Sequence, residues 1–141
     1  MILPDVTPLM YAVWPDAREH AAARRWLDLV INGEEAYGMS PQVLSSVTRI
    51  MTNPRAFPNA YPIERLIGYA NLLLTQPHCQ VIQPGLRHWS IFSDLCRRAN
   101  ASGNRVQDAW FAALAIESGC EWITFDRGYA RFDGLRWRTP F

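Results

Sequence analysis

Met1-Ile2-Leu3-Pro4-Asp5-Val6 is the stretch on which the reading of the fold turns. A short apolar run ending on a carboxylate predicts a buried strand over residues 1–3, with Asp5 at its C-terminal end. Continuous apolar runs of this length suit parallel strands covered on both faces by helices. In open α/β sheets, ligands sit outside the carboxyl ends of the strands, so an acid there is placed for chemistry. Two other acids stand at comparable points. Asp108 opens an alanine-rich helix, and Asp126 ends the run Glu121-Trp122-Ile123-Thr124-Phe125. Alone, Asp108 would be a first-turn acid favoured by the helix dipole and Asp126 a turn residue. Together at one predicted sheet edge, three carboxylates repel one another unless a cation neutralises them. The expectation is a divalent-metal site.

Working outward, strands and helices alternate. Thr7 to Trp14 is a short helix, and Asp16 with Glu19 reads as a capping box for the next one, whose apolar face is Ala23, Trp26, Leu27 and Val30. A second strand is expected over 36–39. Ser40-Pro41 then opens a helix as N-cap and N1. Pro62 begins a long helix with Ile63, Leu66, Ile67, Ala70, Leu73 and Leu74 on its apolar side, and a third strand follows over 80–82. On the next helix Trp89, Phe92, Cys96 and Ala99 are expected to face inward and His88 to lie on the surface. The helix over 106–118 is rich in alanine, which points to close packing against a sheet. Strands over 122–125 and 135–137 complete the chain. This order predicts one α/β domain over 1–141, a mainly parallel central sheet with helices on both faces.

Composition narrows the chemistry. The formal net charge is +1, so no global basic field marks a nucleic-acid binder. All 14 basic residues are arginine, which leaves no lysine for a Walker A loop or for a receiver-like phosphorelay site. Cys79, Cys96 and Cys120 form no CxxC pair and read as free thiols in a reducing cytoplasm. No segment is apolar for long enough to span a bilayer. The 3 histidines show no zinc-ligand spacing. An oxygen-only acid cluster suits Mg²⁺, with Mn²⁺ as substitute, and metal-assisted phosphodiester hydrolysis. Glu117 lies nine residues beyond Asp108, ~180° around the helix and ~13.5 Å along it. It should face elsewhere and pair with an arginine.

Four ordered segments also carry a resemblance: residues 1–7 with Asp5 and Thr7, Arg49 to Arg55, Gly103 to Glu117 with Asp108, and Thr124 to Phe132 with Asp126. Together they resemble the PIN-domain ribonucleases, most closely the VapC toxins of bacterial toxin–antitoxin modules, over essentially the whole chain. The resemblance implies Mg²⁺-dependent endoribonuclease action, a cognate VapB-like antitoxin that blocks the site, and a toxin homodimer. It implies that Asp5 and Asp108 bind metal and Asp126 completes the cluster. Thr7 would position water or phosphate, and Arg105 and Arg127 would contact the RNA backbone. One position departs from the pattern. Where the family usually has a second acid, a glutamate three residues before Arg49, this chain has Ser46. Serine supplies no charge, so a degenerate domain that binds antitoxin or RNA without cutting is the alternative.

Overall fold

The computed structural model describes all 141 residues. β1 (Ile2–Pro4), β4 (Glu121–Ile123) and β5 (Trp137–Arg138) form one parallel ladder in the order β1-β4-β5. β2 (Tyr37–Met39) and β3 (Cys79–Val81) form a second parallel pair. β2 lies beside β1, so the lateral order is β3-β2-β1-β4-β5, but no ladder joins these two strands. Gly38 permits their close approach: a Cβ there would come 3.2 Å from the Ile2 carbonyl oxygen and 2.9 Å from Ile82 Cγ1. The expected parallel α/β domain is therefore present, with its sheet divided at the β1–β2 contact.

The helices are α1 (Val6–Val13), α2 (His20–Asn32), α3 (Pro41–Met51), α4 (Ile63–Leu74), α5 (His88–Ala99) and α6 (Asn104–Ser118). α1 packs on α2 and α3, and α3 on α4, while α5 and α6 pair separately with α6 against β4. α3 starts as the sequence predicts, with Ser40 Oγ accepting from the Val43 N–H at 3.3 Å. α6 ends at Gly119, whose φ of 71° is the left-handed conformation that closes a helix. Its Ala109, Ala112, Ala113 and Ala115 are fully buried, and Phe111 from the same helix stacks on Trp122 of β4 at 5.6 Å. That packing fixes the start of α6, and hence Asp108, relative to the sheet.

Four local expectations are corrected. Asp16 and Glu19 make no capping box: the turn runs on to Glu19, which precedes α2 without a side-chain cap bond. On α5, Trp89 is exposed and His88 is buried, with its Nε2–H donating to the Trp110 carbonyl at 3.0 Å. On α4 only Leu66 and Leu73 are buried, and Ile63 and Ile67 face solvent. Glu117 does face away from Asp108, but its carboxylate accepts the backbone N–H groups of Gly85 (2.7 Å) and Arg87 (2.9 Å) and pairs with no guanidinium.

Candidate active site

The carboxyl end of β1 delivers Asp5 into the interior. Its N–H continues the ladder to the Ile123 carbonyl at 2.9 Å, and its side chain caps α1 by accepting the Val6 N–H at 2.7 Å. The other carboxylate oxygen accepts the hydroxyl of Thr124 at 2.6 Å. Thr124 is fully buried, and its Oγ1 in turn accepts the Asp126 N–H at 3.0 Å. One hydroxyl thus ties the end of β1 to the loop after β4. Burial pushes the Asp5 carboxyl up to about 6, against the bonds from Thr124 and Val6, and the charges of Asp108 and Asp126 add to the rise.

Asp108 lies on α6 beyond the first turn, with Arg105 one turn earlier. Arg105 Nη1 is 2.9 Å from Asp108 Oδ2 and 3.4 Å from Asp126 Oδ2. Asp126 caps the short 3₁₀ turn Arg127–Arg131 by accepting the Gly128 N–H at 2.7 Å. Tyr129 from that turn is buried, and its hydroxyl donates to Asp108 Oδ1 at 3.4 Å. Burial raises the titration of Asp108, with Arg105 opposing. Burial, then the charges of Asp5, Asp108 and Asp126, hold the Tyr129 phenol far above its ordinary range, so it stays a donor. The three predicted acids therefore lie within electrostatic reach of one another around a tyrosine hydroxyl and a guanidinium. A cavity of about 720 Å³ lies elsewhere, at the amino ends of β1, β2 and β4, lined by Met1, Tyr37, Glu121 and Arg136. It contains none of these groups.

The PIN domain family model matches residues 2–135. The chain belongs to the PIN-domain family. Ribonuclease VapC43 of Mycobacterium tuberculosis is 39% identical to this PIN domain over 140 residues, 99% of this chain and 95% of its own length. Ribonuclease VapC25 of the same organism is 32% identical over 140 residues, 99% of both chains. These relatives make it a PIN domain of the VapC type. Its fold matches a solved structure of VapBC2 from Rickettsia felis bound to a DNA fragment from their promoter, with a TM-score of 0.71 at 16% identity, over 99% of this chain and 98% of that one.

Within this PIN domain, the remaining predicted residues fall around the acids unevenly. Ser46 is half-buried on α3, one turn beyond Gln42, whose side-chain oxygen accepts the Trp110 indole N–H from α6. Ser46 and Gln42 share a helix face by their spacing of four, so Ser46 lies on the side of α3 from which Gln42 reaches Trp110. Thr7 is half-buried in the first turn of α1, and Arg127 is exposed beside Asp126. Arg105 is bound between two acids and is not a freely solvated residue. Thr124 and Tyr129 were not singled out by sequence. Their positions at the end of a strand and directly after a conspicuous Gly were visible, but their roles depend on contacts made only in the folded chain.

Proposed function

We propose that this chain is the toxin of a type II toxin–antitoxin module: a Mg²⁺-dependent endoribonuclease that hydrolyses RNA at Asp5, Asp108 and Asp126. The observation that carries the reading is the gathering of three carboxylates from β1, α6 and the loop after β4 onto one partly buried spot. The names of the VapC relatives, all ribonucleases, support the reaction class. The donor set fits a hard divalent cation in kind: it is oxygen-only, carries excess negative charge, and has already drawn in a guanidinium. As the side chains stand, no three acids, histidines or cysteines are close enough to enclose an ion. Binding would require Arg105 to move.

In this reading Asp5 and Asp108 hold the cation and Asp126 completes the cluster. A bound Mg²⁺ or Mn²⁺ would make water a nucleophile at neutral pH and offset charge on the scissile phosphate. Thr124 keeps the Asp5 carboxylate turned toward the cluster and sets the height of Asp126. Tyr129 orients Asp108 by donation to Oδ1, leaving Oδ2 for a cation. The partners of the proposal are RNA, a VapB-like antitoxin and a second copy of the chain. No helix is long and apolar enough to cross a membrane, and a cytoplasmic location belongs to the same proposal. Ser46, in place of a fourth acid, favours the alternative of a domain that binds without cutting.

Cleavage of RNA by the purified chain with Mg²⁺ or Mn²⁺, followed by sequencing of the ends, separates the two readings. Asp5→Ala and Asp108→Ala are each expected to abolish cleavage and toxicity while the fold survives. Wild-type rates in either variant would overturn the site, and no cleavage by the parent chain under either metal would favour the non-cutting domain.

A further inference from the structure

Arg105 is seated, not merely near the acids. A single nitrogen, Nη1, bridges Asp108 Oδ2 at 2.9 Å and Asp126 Oδ2 at 3.4 Å. The guanidinium rests over Gly128, where any Cβ would collide with both of its terminal nitrogens. The side chain is 35% exposed, so the guanidinium is partly withdrawn from water while it holds both acids. The place is thus a fitted seat for a cation: two carboxylates on one side and a backbone without a side chain on the other. Charge-assisted bonds of this kind are about twice as strong as neutral ones.

We propose that Arg105 is the protein's own counter-ion for the acid cluster and that a divalent cation binds only by displacing it. The inference rests on the metal-site reading given above. The Oδ2 atom of Asp108 cannot serve the guanidinium and an ion at full strength together, because both draw on the same lone pairs and repel each other. Arg105 therefore keeps the metal-free acids compatible with a folded state and lowers their affinity for metal. Once displaced it remains tethered one helical turn from Asp108, free to pair with an anionic phosphate. Occupancy of the acids by metal and of Arg105 by phosphate then favour each other.

The test uses the full chain and Mn²⁺ as the probe, with free Mn²⁺ followed by electron paramagnetic resonance and stability by thermal melting. Arg105→Gln should bind Mn²⁺ about ten-fold more tightly, the effect of losing one competing charge-assisted bond. Without metal it should melt below the parent chain, and Mn²⁺ should raise its melting temperature by more. Arg127→Gln removes an equal charge from the exposed neighbour of Asp126, which has no ion pair with either acid, and should change the affinity little. Arg105→Lys, which keeps the charge without the planar fork, should fall between parent and Arg105→Gln, and supplies the comparison if the glutamine variant does not fold. Unchanged or weaker binding by Arg105→Gln, or an equal gain in Arg127→Gln, overturns the displacement. If no variant and not the parent binds Mn²⁺, the metal-site reading falls and this proposal with it.

Discussion

Burial of Asp5 links the site to the stability of the fold. In the unfolded chain the carboxyl titrates near 3.8, and in the metal-free fold near 6. Between those values the folded protein holds the proton more tightly. The stabilisation is therefore complete below pH 3.8 and is lost as pH rises through about 6. At neutral pH the ionised group costs the fold roughly 2–3 kcal/mol. Asp5→Asn retains the cap on Val6 and carries no charge. It should melt several degrees above the parent chain at pH 7.5 without metal, and the gap should close toward pH 4; equal melting temperatures at both pH values would contradict the assignment. The same proton competes with metal, so cleavage should fall as pH drops through about 6. The acids themselves were legible because each begins or ends an apolar run. Thr124 and Tyr129 were not, because Thr and Tyr are ordinary residues for a buried strand and its flank, and only the fold aims their hydroxyls at Asp5 and Asp108.

Among the elements, α5 shows how spacing alone can misplace one edge of a buried face: Phe92, Cys96 and Ala99 pack against the core as expected, and Trp89 does not. Residues 89, 92, 96 and 99 satisfy helical periodicity, but so do 88, 91, 95 and 99. His88 and Leu95 are buried while Ile91, Phe92, Cys96 and Ala99 are all half-buried, so the inward face is centred on His88, which donates to the Trp110 carbonyl and packs edge-on to the Trp110 ring at 4.2 Å. An apolar scale counts the imidazole as polar and cannot register that bond. On α4 the sequence showed one continuous apolar face, and the monomer covers only part of it. Ile63 and Ile67 of that face are exposed, whereas Tyr69 is anchored inward by its hydroxyl bond to the Leu9 carbonyl at 2.9 Å. Apolar surface of this kind on a helix is the part of the homodimer proposal that structure supports. Light scattering at micromolar concentration should give a dimer for the parent chain and a monomer for Ile67→Glu. Because Ile67 is 42% exposed, that charge should cost the monomer little stability. A monomeric parent chain would remove the proposal.

At the scale of the molecule, the alternation of strands and helices was sufficient to read a parallel α/β domain, since each apolar run has only one kind of sheet in which to be buried twice. The division of that sheet was not readable. It lies where β2 meets β1, at the contact of Gly38 with Ile2, residues far apart in the chain. Its consequence lies in how the protein opens. Backbone ladders link β2 only to β3, and β4 to β1 and β5, so no ladder joins the two halves. Cooperative units often follow such boundaries. Each half carries a thiol: Cys79 on β3, and buried Cys120 immediately before β4. A thiol reagent should modify half-buried Cys79 at a rate nearly independent of added denaturant, without complete unfolding. Cys120 should react only as denaturant drives complete unfolding, so the acid-bearing half outlasts the opening of its neighbour.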